Sequence, residues 1–226
     1  MPTTFDSGIS RPAASANQNL AEAVYAAILE RIIRGNLKPG TVLSAVKWAE
    51  KLAVSRTPVH EALRMLETDG LVVNPAGRRA QVADFTRDDL WEIFEMRALL
   101  ESRAAELAAG RMDERQLGPL RSLAESLFAR EESEEWITHW TEFDEQFHGE
   151  IAEACGNRRL AQDIRRYRLI HRGFNHVSTD YGSLQLALAE HIEILDALSA
   201  RDPSAARDAM RRHIENWQRY FVERFH

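Results

Sequence analysis

The chain carries a single cysteine, Cys155, among 226 residues. That excludes an intramolecular disulfide framework and fits a reducing cytoplasm. One thiol with no acid or base patterned around it reads as a small core side chain rather than a nucleophile. No apolar run approaches the roughly 20 residues that a membrane-spanning helix needs. Residues 1–19 are rich in Ser, Ala, Pro and Thr and lack the apolar centre of a secretion signal, so they read as a disordered lead-in. Beyond them there is no low-complexity tract and no internal repeat. Strand-prone sequence is scarce and confined to residues 71–83. The length allows one large or two modest domains with a real core.

Excess positive charge is also missing. A net charge of −6 argues against a chain-wide nucleic-acid surface. The distribution is uneven, however. Residues 1–83 hold 10 Lys and Arg against 7 Asp and Glu, while the remainder holds 19 against 28. The small basic excess lies in the first third, where salt-sensitive contact with phosphates would be expected.

That third contains Val54-Ser55-Arg56-Thr57-Pro58-Val59-His60-Glu61-Ala62-Leu63-Arg64. Ser55 or Thr57 suits an N-cap, and Pro58 is tolerated in a first helical turn. Val59, Ala62, Leu63 and Leu66 recur at helical spacing, and Arg56, Thr57, His60 and Arg64 fall on the opposite face. A cation and a hydroxyl at a helix tip suit phosphate and base-edge contacts, although most such faces are simply solvated. Upstream, Val46, Ala49 and Leu52 mark a short helix, and Ala53-Val54-Ser55 leaves room only for a tight turn. The pair has the shape of a helix-turn-helix. After Gly70, Leu71-Val72-Val73 and Ala80-Gln81-Val82-Ala83 flank Asn74 to Arg79 as a hairpin with Arg78 and Arg79 near its tip, as in a winged helix.

On these residues, Leu20 to Ala83 resembles the winged helix-turn-helix of the GntR family of bacterial transcription regulators. The resemblance rests on Pro39-Gly40, Val54 to Val59, Glu61-Ala62-Leu63 and Gly70-Leu71-Val72. It departs at His60, where the family usually has a base-reading arginine, and at Val46, with Lys47 beside it, where another arginine is common. Arg79 takes the usual wing-tip glycine position, and Gly77 lies two residues earlier. The resemblance implies operator contacts from Arg56 and Thr57, a base-edge contact from His60, and phosphate contacts from Lys47, Arg78 and Arg79.

Leu20, Val24, Ile28 and Ile32 mark a first helix ending near Gly35. From Thr86, a candidate N-cap, the chain turns helical: roughly 87–110, 113–131, 134–155, 157–177, 181–200 and 203–225. The expected fold class is mainly α, with a disordered lead-in (1–19), a winged helix-turn-helix (20–84) and an antiparallel helical bundle with an interior cavity (85–226).

Polar residues interrupt the apolar stripes of three of these helices. Asp144 and His148 lie among Ile137, Trp140, Phe147 and Ile151; His191 among Leu184, Leu188, Leu195 and Leu198; His213 among Ala206, Met210, Trp217 and Tyr220. Burying a polar group without a partner costs roughly 2–7 kcal/mol, so these four must satisfy one another or something bound. One carboxylate and three imidazoles converging in a bundle fit a borderline divalent ion, with zinc, nickel and manganese not distinguished. Separate hydrogen bonds from each histidine are the alternative. His139, His171, His176 and His226 follow no such pattern. Arg165, Arg166, Arg168 and Arg172 read mostly as a solvated face, with room for one of the four to point inward.

Residues 87–225 resemble the FCD-type effector domain of the FadR branch of the same family. The matching pieces are Arg97 to Glu101, Ala104-Ala105, Leu107 to Ala109, Asp144 to His148, Gly156-Asn157, His191, and Ala206 ahead of His213. The resemblance implies a metal held by Asp144, His148, His191 and His213. It also implies a small carboxylate effector near Arg97, which would otherwise pair with Glu101 one turn on. The expectation is a cytoplasmic homodimeric regulator, a repressor released from operator DNA by a small organic acid, and not an enzyme. A metal-dependent hydrolase with a DNA-binding appendage is the rival, since open metal positions can activate water. An architectural module with a merely hydrogen-bonded core is the third reading.

Overall fold

The computed structural model describes residues 12–75, 79–178 and 180–225. The chain divides into two compact units, Met1–Phe85 and Thr86–His226.

The first unit is built from α1 (Pro12–Ile33), α2 (Ala45–Leu52), α3 (Arg56–Thr68) and the short antiparallel strands β1 (Val72–Val73) and β2 (Gln81–Val82). The expected lead-in requires correction: residues 12–19 belong to α1. Their Ala, Asn and Gln residues continue into an apolar stripe, and Pro12 stands at the first position, where its missing N–H costs nothing. Val24, Tyr25, Ile28 and Leu29 of α1 are buried, as are Val59, Ala62, Leu63 and Leu66 of α3, and the two helices pack together. The Tyr25 hydroxyl donates to Asp69 Oδ2 at 2.8 Å, tying α1 to the end of α3.

Only Ala53, Val54 and Ser55 separate α2 from α3. Ala53 takes left-handed φ/ψ of 53° and 40°, a conformation that non-glycine residues rarely adopt, and this makes the turn tight. Ser55 holds the N-cap position of α3, yet its side chain makes no capping hydrogen bond. Gly70, at φ +75°, turns the chain into β1. β1 and β2 pair through Val72 with Val82 and Val73 with Gln81, and Val42 bridges to Gln81 from the other side.

The second unit contains α4 (Arg87–Ala108), α5 (Glu114–Phe128), α6 (Glu134–Ala154), α7 (Arg158–Ser178), α8 (Tyr181–Ser199) and α9 (Pro203–Arg224). Local sequence sets the starts. Thr86 with Asp89, and Asp113 with Gln116, form capping boxes; Ser133, Asp180 and Asp202 accept from backbone N–H groups of their first turns. α4 packs along α9 and also meets α6 and α7, while α8 lies against α5 and α9. The faces that α4, α6, α7, α8 and α9 turn inward carry both the apolar core and the polar cluster described next. No helix among the described residues is long and apolar enough to cross a membrane.

Candidate metal centre and nucleic-acid face

Asp144, His148, His191 and His213 are all buried, none more than 4% exposed. α6 places Asp144 and His148 one turn apart on its inner face, and α8 and α9 contribute the other two. His148 Nε2 lies 3.3 Å from His191 Nε2, and Asp144 Oδ1 lies 3.6 Å and 3.5 Å from those two atoms. The three histidines offer ring nitrogens within 4.8 Å of one another.

This spacing suits an ion held at the centre of the cluster. Two ligand atoms each about 2.0–2.2 Å from a common ion stand roughly 3–3.6 Å apart. With Nε2 of both rings unprotonated, two imidazole nitrogens and a carboxylate oxygen would direct lone pairs at one point, which a positive ion between them stabilises; an Nε2–H on either ring would instead give a hydrogen bond across the same gap. Burial pushes His148 and His191 well below the usual imidazole value, with Arg168 and His213 adding to the effect. Both rings are therefore neutral, the form that ligates metals.

Carboxylates and a guanidinium hold the cluster from outside. His148 Nδ1 lies 2.5 Å from Glu101 Oε2, and His213 Nδ1 lies 2.7 Å from Glu190 Oε2; each contact turns the other ring nitrogen inward. Arg168 donates to Asp144 Oδ2 at 2.7 Å and to Glu145 Oε1 at 2.8 Å, which leaves Asp144 Oδ1 facing the histidines. Burial works against charge on Arg168, but Asp144, Glu145 and Glu101 together hold it above its ordinary value. Burial raises Asp144 above the usual carboxylate range, against the pull of Arg168.

Arg97 is 1% exposed and its Nε donates to Glu101 Oε1 at 2.8 Å. The ion pair with Glu101 is thus formed, but Nη1 and Nη2 have no hydrogen-bond partner among the described residues. Burial lowers this guanidinium from its ordinary value, with Glu101 opposing; at neutral pH it stays charged. Two unpaired N–H faces on a buried cation form a ready carboxylate fork.

Sequence reasoning missed several supporting groups. Arg168 is the one arginine of its cluster found buried, while Arg165 and Arg166 are exposed; the sequence reading allowed for one inward arginine but did not say which. The usable signal was its spacing with Ala161, Ile164 and His171, which puts it on the inner face of α7. Glu101 had the same signal on α4, between Arg97 and Ala104-Ala105. Glu190 had none, because its contact with His213 joins two different helices.

On the first unit, Lys47, Arg56, Thr57, His60 and Arg79 are all exposed, on α2, α3 and the hairpin. Lys47, Arg56, His60 and Arg79 border one groove of about 800 Å³, joined by Arg64 and Asn74 and by the acidic Glu50 and Glu67. Thr57 sits at the tip of α3 outside that lining. Arg78 and Gly77 lie outside the described residues. Arg64 and Asn74 were legible as polar-face and turn residues, but not as parts of one surface.

Comparison with known proteins bears on both units. The family of bacterial regulatory proteins named gntR matches residues 20–82, and the FCD domain family matches residues 92–216. The Exu regulon transcriptional regulator of Escherichia coli K12 is 32% identical over 220 residues, covering 88% of this chain and 83% of that one. The HTH-type transcriptional repressor GlaR of the same organism is 32% identical over 195 residues, covering 81% and 87%. Among solved structures, E. coli McbR/YncC shares the fold with a TM-score of 0.70 at 23% identity, over 92% of this chain and 99% of that one. The chain is therefore a transcriptional regulator, not an enzyme, and belongs to the GntR family with an FCD domain as its helical unit.

Proposed function

We propose that this regulator is a homodimeric repressor whose residues 20–84 bind a short palindromic operator, and whose residues 85–226 sense a small carboxylate through a divalent metal. Asp144, His148, His191 and His213 would hold the ion, and the ion would offer an open position to an anionic ligand. Arg97 would take the ligand's carboxylate. Arg56 and Thr57 would make the principal operator contacts, His60 would read a base edge, and Lys47, Arg78 and Arg79 would meet phosphate. Operator two-fold symmetry favours the dimer, and GlaR, named a repressor, supports that sign of control. Effector and DNA would favour different arrangements of the protein, so that each weakens the other by one shared factor.

The observation that carries the sensing half is the pair of unpartnered Arg97 Nη atoms, buried and linked through Glu101 to His148. Titration of metal-loaded protein with simple carboxylates tests it. Arg97→Met should weaken their binding at least about tenfold, the loss expected for a charge-assisted fork, while metal content stays at the wild-type level. Undiminished carboxylate binding by Arg97→Met would remove Arg97 from the effector site.

A further inference from the structure

We propose that the outward face shared by α4 and α9 is the surface on which two copies of this chain meet, about a two-fold axis near Leu99. The assignment rests on the homodimer reading above and locates its interface.

The inner side of α4 carries Arg97 and Glu101, both buried. Its outer side holds three large apolar side chains in water: Trp91 at 41% exposed, Met96 at 38% and Leu99 at 66%. Apolar side chains grouped on one face and rimmed by charge mark a surface that another molecule covers. These three border one groove, whose other wall is made by Arg207, Arg211, Glu215 and Arg219 of α9. Those four recur at every fourth position, so they form a charged rail along the apolar stripe.

The direction of the helices sets the pattern of charge. Gln218 donates to the Trp91 carbonyl at 2.9 Å at one end, and Arg207 lies 3.9 Å from Glu106 at the other, so α4 and α9 run antiparallel. Glu92, Glu95 and Glu215 therefore lie toward one end of the face, where Arg219 offsets one of them, and Arg207 and Arg211 lie toward the other. Arg207 and Arg211 form exposed ion pairs with Glu106, Asp208 and Glu215 of the same two helices, and Glu92 and Glu95 join none of these pairs. A two-fold axis through the middle of the face lays its acidic end over the basic end of the second copy. Glu92 and Glu95 then stand beside the partner's Arg207 and Arg211, twice over, with Leu99 against the partner's Leu99.

That balance favours a second copy over other occupants. Acidic side chains at one end repel a nucleic-acid backbone. A face of one sign would repel its own copy, whereas this one complements itself, as an isologous contact requires. The size also fits. Both helices have 22 residues, so the pair is about 33 Å long and about 20 Å across. That footprint is on the order of the roughly 800 Å² per partner that stable interfaces bury.

Sedimentation velocity of the full chain over a range of concentrations tests the assignment, with circular dichroism as the folding control. Leu99→Glu should raise the dimer dissociation constant at least about a hundredfold. Two charge variants make the test specific to the pairing. A chain with Glu92→Arg and Glu95→Arg, and one with Arg207→Glu and Arg211→Glu, should each be monomeric alone, because like charges meet across the axis. Mixed in equal amounts they should form a dimer of near wild-type affinity, because every acid again meets a base. A dimer that survives all three variants, or a mixture that stays monomeric, would overturn this face while leaving the homodimer reading in place. Wild type that is monomeric at every concentration would remove the homodimer reading, take this face with it, and leave the apolar stripe to a different protein.

Discussion

Arg56→Ala should all but abolish specific operator binding while leaving the protein folded. Arg56 is exposed at the first position of α3, beside His60, Lys47 and Arg79 on one groove, so its removal disturbs no core contact. A good arginine contact to a base edge is worth about 1–3 kcal/mol of discrimination. In the proposed two-fold dimer both half-sites lose it, so affinity for an operator selected from a random duplex library should drop about thirty-fold to 10⁴-fold. Fluorescence anisotropy at fixed salt measures this, with circular dichroism and metal content as the folding controls. Unchanged affinity would move the recognition surface away from the tip of α3.

His148→Ala should remove the metal and, with it, the stabilisation the metal provides. An ion at 100 to 1,000 times its dissociation constant stabilises the native state by about 2.7–4.1 kcal/mol. For a chain of this size that corresponds to a melting shift on the order of 5–15 °C. Chelation should lower the wild-type transition by that amount and should not change the variant's. The variant should also melt below chelated wild type. The buried imidazole lies between Glu101 and Asp144, and deleting it leaves two buried carboxylates with one partner fewer. A variant that still responds to chelator would show that the ion sits elsewhere.

The legible parts of this molecule were those written at one helical period. α3 announced itself through Val59, Ala62, Leu63 and Leu66, all buried. The four polar interruptions were found because each sat where its neighbours spelled core. The same rule would have flagged Glu101, Arg168 and His171, which also lie on inner faces. Arg168 was masked by Arg165, Arg166 and Arg172, a run of charge that reads as solvent-facing until its phase is checked. Glu190 was beyond any such rule, since its partner His213 lies 23 positions away on another helix. The start of α1 at Pro12 was hidden for a different reason: Ala, Asn and Gln without an apolar stripe resemble a tail. In the same way, the 3.3–3.6 Å spacing of Asp144, His148 and His191 joins side chains of two helices far apart in the chain, which no local pattern encodes.

Operator affinity measured against rising concentrations of a carboxylate that the helical unit binds is the most direct test of the whole account. The two sites are expected to be coupled by about 1–3 kcal/mol. Metal-loaded wild type should therefore release the operator with a roughly 5- to 150-fold weaker affinity at saturation, and operator should weaken carboxylate binding by the same factor. Operator affinity that stays constant while the helical unit fills with ligand would contradict it.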